Sequence, residues 1–310
     1  MQLKGQAIGF KGEYAITVLD KDGNEKEYIN NEKTIRSGEP IKNALLDTFF
    51  QLVHTTNNNL GQGFIRCGSG TSSVDYTQTT LEQQISLNSG NWPSSGVAPY
   101  NTVVEDNTIK MASQYKFTFA IGQIEGNISE LGIMFENGSA LHSRALVEDS
   151  QGQPATITIT RDEQLVIIYK LSAEASADDV VQTVPVMING IATDTEVICR
   201  WAQLSAINIS NVRIPPYMVI GFGDLGPAFE RLVMQGSANM ENSIGQSIQN
   251  ARRYNSTIAA SKGNFTRMIE TAACHYITSV AIAKYQFSPP LPKNADRTLT
   301  ISLDYSFGRI

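Results

Sequence analysis

The sequence predicts a mainly β protein. It reads as two β-sandwich-like modules, with an N-terminal amphipathic helix and a helical insert in the second module. Three observations carry this. Residues 122–172 form a run of short strand patterns in which apolar residues alternate, as at Leu165, Ile167, Tyr169 and Leu171, the period of a half-buried strand. Asn137-Gly138 and Asn189-Gly190 each stand between two such patterns, and Asn-Gly supplies the positive φ values of a tight hairpin turn. Only 17% of the 310 residues are charged, below the roughly 25% of an average domain. A chain of this length favours two compact modules, placed at residues 1–174 and 175–310.

The elements follow in order. Residues 6–19 and 26–29 read as a hairpin closed at Asp20-Lys21-Asp22-Gly23, with Asp-Gly as the turn. Residues 40–54 read as a helix, because Ile41, Leu45, Leu46, Phe49, Leu52 and Val53 make one stripe. Pro40 suits its first turn, and an Asn- and Gly-rich run after Thr55 ends it. A short strand over 64–67 leads into Gly68-Ser69-Gly70, and residues 87–101 form a polar surface loop. Strands at 107–121, 127–135, 140–147, 155–160 and 165–171 follow, and 173–179 reads as a linker. Beyond it come a strand at 180–187, at a sheet edge because Pro185 cannot donate to the ladder, and a strand at 196–214. Helical patterns occupy 225–234 and the spacing of Met240, Ile244 and Ile248. Strands at 274–284 and 299–307 close the chain.

Composition narrows the function. A net charge of −6 and a pI near 5.2, with no cluster of Lys and Arg, argue against nucleic acid as a partner. No run of 18 apolar residues occurs, so no membrane insertion is expected. Cys67, Cys199 and Cys274 are odd in number and widely spaced, which matches neither a disulfide framework nor a zinc site. They read as reduced, buried small residues.

Little in the chain reads as catalytic, and no enzyme activity, metal or cofactor is expected. Gly68-Ser69-Gly70 and Gly221-Phe222-Gly223 lack the spacing of a phosphate loop. The alternating acids of residues 20–27 put their Gly at the fourth position, where a calcium loop needs it at the sixth. His54, His142 and His275 have no GxSxG serine to serve. Glu125, Glu130, Glu148 and Asp149 read as solvated strand-edge carboxylates. Trp92 and Tyr100 are the candidate partner or glycan contacts, since both lie in the polar loop and such aromatics are common at interfaces.

The halves also share an order of signals. Residues 107–109 and 128–133 stand 149 positions before 256–258 and 277–282, a spacing that suggests an internal duplication.

Four motifs line up over the first 170 residues. They are the DxDG hairpin (Asp20 to Gly23), Asn31, Ile35 and Gly38 before the helix, FIRCGSGTSSVDYTQTTL (64–81), and residues 122–172 with IEGNISELGI and GSALHSRALVED. Together they resemble structural virion proteins of tailed bacteriophages, of the tail, collar or fibre type. Thr79 and Arg36 depart from that wording, where Asp and Thr are usual. The resemblance implies a virion location and a structural component that assembles with copies of itself and with other virion proteins. The alternative is an adhesin module that binds carbohydrate or another host-surface glycan through Trp92 and Tyr100.

Overall fold

The computed structural model describes residues 1–26, 28–30, 33–35, 38–55, 60, 62–96, 101–135, 140–188, 191–202, 217–222, 224–230, 237–239, 241–242, 246–248, 251–258, 269–277, 280–292 and 298–310. The fold is mainly β, and among the described residues one helix, Asp47–Thr55, stands beside the strands. Two compact units divide the chain. One takes Met1–Gly9, Asn101–Met111 and Glu174–Gly308; the other takes Phe10–Tyr100, Ala112–Ala173 and Arg309–Ile310.

The second of these units is an antiparallel ladder. From Phe10 onward the long strand Gln2–Leu19 pairs with Pro40–Leu45, which pairs with Ser143–Leu146. Glu130–Met134, Gln62–Gly68 and Ser94–Gly96 continue the order. Gln164–Ser176 pairs with both Gln2–Leu19 and Thr108–Phe119. Alternation puts Tyr14, Ile16 and Val18, Tyr115, Phe117 and Phe119, and Leu165, Ile167, Tyr169 and Leu171 inside. The helix adds Phe49, Leu52 and Val53. Phe49 meets the ring of Phe10 edge-on at 5.3 Å, a favoured aromatic geometry. Buried hydroxyls are satisfied locally: Tyr14 and Ser143 share a hydrogen bond of 2.9 Å, and Asn43 Nδ2 donates to Tyr169 Oη at 3.3 Å. Gly12 makes room for them, because a Cβ there would lie 2.4 Å from Asn43 Nδ2.

The other unit holds a six-stranded sheet in the order Val180–Ile188, Ile191–Trp201, Val280–Leu291, Ile269–Ile277, Tyr217–Gly221, Ser237–Asn239. Val180–Ile188 is an edge strand and carries Pro185. Val197, Cys199 and Trp201 point inward and are buried. In the same unit Ala251–Ile258 pairs with Leu299–Arg309 from Ile258↔Leu299 to Ala251↔Ser306.

Several expectations are corrected. The helix predicted over 40–54 begins only at Asp47, and Pro40–Leu45 is a strand. Residues four apart share a face in a strand as well as in a helix, so Ile41 and Leu45 fit both, and pairing on both sides decides for the strand. Among the described residues, the expected return strand of the first hairpin is reduced to the bridge Leu19↔Glu25 and the Lys26 N–H donated to Val18 O, and Tyr28–Asn30 pairs with Lys33–Ile35. The linker predicted at 173–179 is largely strand, since Gln164–Ser176 continues through buried Ala173 and Ala175.

The helical insert is absent among the described residues. At 224–230 Gly226 and Phe229 have φ values of 66° and 62°, which a right-handed helix cannot use. The carbonyls there are taken by cations: Arg200 Nη1 donates to Gly226 O at 2.6 Å, and Lys284 Nζ to Pro227 O and Glu230 O. Glu241–Asn242 and Gln246–Ile248 are strands. Of the duplication signals, residues 128–133 run from the end of strand Gly126–Ile128 across Ser129 into strand Glu130–Met134. Their counterparts straddle a hairpin, with Ile277 paired to Val280. The Asn137-Gly138 and Asn189-Gly190 turns lie outside the described residues.

His142 is a packing residue. It is buried, its Nδ1 accepts the Phe135 N–H at 3.0 Å, and burial lowers its pKa from 6.5 to about 4. The unfolded chain therefore binds a proton between those values that the folded chain refuses. Stability from this group is complete above pH 6.5 and is lost as the pH falls toward 4, by on the order of 3 kcal/mol. Urea unfolding between pH 7 and 4.5 is expected to show this slope. In His142→Asn, which keeps an acceptor and cannot titrate, the slope is expected to flatten; an unchanged slope would assign it to other groups.

Candidate functional site

The strand Glu130–Met134 lies between Gln62–Gly68 and Ser143–Leu146, with Glu130 opposite Gly68 and Gly132 opposite both Arg66 and Arg144. Directly opposed residues in an antiparallel ladder share a face. One face therefore collects Leu131, Cys67 and Ala145, all buried in the core. The other collects Arg66, Gly68, Glu130, Gly132 and Arg144.

On that second face two full charges are buried. The side chains of Glu130 and Arg144 are both 0% exposed, and Arg144 Nε donates to Glu130 Oε2 at 2.7 Å. Everything else that Glu130 accepts comes from the loop spanning residues 69–83. Its Oε1 takes the N–H groups of Gly70 at 3.1 Å and Gln83 at 2.8 Å, and its Oε2 that of Glu82 at 3.1 Å. Arg144 Nη1 reaches the same loop from the other side, donating to Ser72 O at 3.1 Å, Ser73 O at 3.4 Å and Gln78 Oε1 at 3.1 Å. Its Nη2 faces Glu82 Oε2 at 3.6 Å. The Ser72 N–H donates to the Glu82 carboxylate at 2.8 Å, and this bond holds the Glu82 pKa below the usual range.

The glycines of the motifs follow from this geometry. A Cβ on Gly68 would stand 2.3 Å from Glu130 Oε1, one on Gly70 2.5 Å from Glu82 Cβ, and one on Gly132 2.5 Å from Leu141 Cδ1. Gly68-Ser69-Gly70, weighed above as a phosphate loop, does bind an anion through a backbone N–H, and that anion is the chain's own Glu130 carboxylate.

The loop is also anchored at its rim. Val74 and Leu81 pack with Leu46, Met134, Leu141 and Phe64. Tyr76 O accepts the Asp47 N–H at 2.9 Å at the start of the helix. Arg309 stacks its guanidinium over Tyr76 at 4.1 Å and Phe50 at 4.7 Å while Nε donates to Leu45 O at 2.8 Å. Between these anchors Thr71, Ser72, Ser73, Asp75, Tyr76 and Thr77 remain exposed. The arrangement is chemically a scaffold. It neutralises its own charges and presents a fixed polar surface.

Trp92 is half-buried. Arg66 lies over its ring at 4.8 Å and Phe119 meets it edge-on at 6.2 Å, so one side of the indole is covered by the chain itself. Tyr100, Arg36 and Asn31 lie outside the described residues. The carboxylates expected at solvated edges divide. Glu125 is exposed, whereas Glu130 is fully buried and Asp149 is nearly so. Asp149 Oδ1 caps its turn by accepting the N–H groups of Gln151 and Gln153. Sequence reasoning overlooked the Glu130–Arg144 pair, although both residues belong to the motif that carries the resemblance. Asp20 folds back on the first turn, and the N–H and side-chain bonds from Asn24 lower its pKa. Cys67 and Cys199 are free and buried, and desolvation raises both thiols, Cys199 to about 12.

Removing one member of the pair strands the other as an uncompensated buried charge, at about 3–5 kcal/mol. Glu130→Gln and Arg144→Met are each expected to lose that much in urea unfolding and to open residues 69–83 to protease. The double variant is expected to lose less than the sum. Single losses below about 1 kcal/mol with a protected loop would show that the pair does not hold it.

Comparison with protein-family models, with curated proteins and with solved structures gave no match.

Proposed function

We propose that this chain is a structural component of a tailed-phage virion, of the tail, collar or fibre apparatus, and acts through subunit assembly. One observation carries the reading: the motifs with virion-protein wording meet at one clamp. Gly68 and Gly70 of the third motif form its floor, and Glu130, Gly132 and Arg144 of the fourth motif form its charged centre. Motifs far apart in sequence then describe one rigid loop mount, which suits a part whose work is to hold a surface in place.

The proposed partners are further copies of the chain and neighbouring virion proteins. Rigid display favours such contacts, because a loop already fixed loses little freedom on binding.

Light scattering of the purified chain, with electron micrographs of the same peak, tests this. A defined ring or trimer is expected. A strict monomer across the accessible concentration range would overturn self-assembly. Trp92→Ala separates the adhesin alternative: glycan binding lost with assembly intact would favour the adhesin.

A further inference from the structure

Among the described residues, strand alternation leaves an outward sheet face on each unit, and these two faces differ in charge. In the unit containing Ile191–Trp201, the outward residues of Val180–Ile188 are Val181, Thr183, Pro185 and Met187. By register they share their face with Ile198, Glu196, Asp194 and Ala192. Val181 is 59% exposed and Met187 67% exposed, while the intervening Val184 and Val186 are buried. Asp194 and Glu196 are exposed, two residues apart and so about 7 Å from each other along the strand. Arg200, further along the same strand, is neutralised by Asp179, with Nε and Nη2 bound to its two carboxylate oxygens at 2.8 and 2.5 Å. The exposed end of this face is apolar and doubly negative.

In the other unit, Thr108–Phe119 and Gln164–Ser176 pair with each other, and Gln2–Leu19 pairs with the latter. Their buried alternates leave Lys116, Lys170, Val166 and Ile168 outward, with Lys11 and Glu13 on the long strand. Ile168 is 37% exposed, and Lys170 Nζ lies 3.9 Å from Glu13 Oε2. Exposed Lys42, directly opposite Glu13, joins Lys116 and Lys170, so this face is apolar and net positive, opposite in sign to the first.

We infer that copies of this chain associate head to tail, with the Asp194/Glu196 face of one copy docking on the Lys116/Lys170 face of the next. The occupant is a second copy because complementary charge and exposed aliphatic residues occur together on both faces. Packing either face on its own copy would set like charge against like, whereas docking one face on the other pairs opposites and, head to tail, repeats into a ring or filament. This rests on the assembly reading above and specifies which surfaces it uses.

Sedimentation velocity of the full chain at low salt tests the contact, using Asp194→Lys/Glu196→Lys, Lys116→Glu/Lys170→Glu and an equimolar mixture of the two. All four positions are on the surface, and matching circular dichroism and thermal midpoints establish that the variants fold. Each variant alone is expected to associate at least about tenfold more weakly than the wild type, and the mixture to regain association. Wild-type association is expected to weaken between about 50 and 500 mM salt. Variants that assemble like the wild type, or a mixture that is not rescued, would overturn the head-to-tail contact and leave the assembly reading standing. A wild type that stays monomeric at low salt would overturn both.

Discussion

The burial of one carboxylate against one guanidinium is the constraint on which the site-bearing unit depends. Taking two ions out of water is costly, and mutual attraction offsets that cost only when every remaining lone pair and N–H finds a partner. Glu130 and Arg144 find most of theirs in a single loop. That loop is therefore not free to adopt another path. The pair also fixes register. Shifting Glu130–Met134 by one residue against its neighbours would turn Glu130 into the apolar core and Leu131 out of it.

The motifs behind the proposed virion role have a physical translation here. In ELGI, Glu130 and Gly132 face the loop while Leu131 and Ile133 face the core. In SRAL, Arg144 faces the loop, while Ser143 bonds Tyr14 and Ala145 packs inside. Gly68 and Gly70 are small because a carboxylate occupies the space a side chain would need. These residues build the mount, and Ser72, Ser73, Asp75 and Thr77 are displayed on it.

How much could be read in advance depended on the range of the interaction. Alternation placed the strands of residues 122–172, because burial of every second residue is local information. The same rule buries Val197, Cys199 and Trp201, every second residue of one strand. Where the pattern was degenerate, the reading failed: Ile41 and Leu45 share a face under either period, and only pairing across the sheet made them strand. The turn at 224–230 was read as helix because what breaks it comes from Arg200 and Lys284, distant in sequence. The clamp was hidden for the same reason. Glu130 looked like an edge carboxylate until the loop from residues 69–83 covered it.

The division of the chain has a consequence for its synthesis. Each unit is built from separate stretches: one needs both Met1–Gly9 and Glu174–Gly308, and the other closes with Arg309–Ile310. Neither can be excised as a continuous fragment, and a cut at residue 174 would leave two pieces that each lack strands they need. A nascent chain holds the strand Gln2–Leu19 without its partner Leu299–Arg309 until those distant residues emerge. Long-range strand pairing of this kind is slow and leaves apolar edges open meanwhile. Until its partner strands arrive, the open edge of Gln2–Leu19 is a template for pairing with another chain.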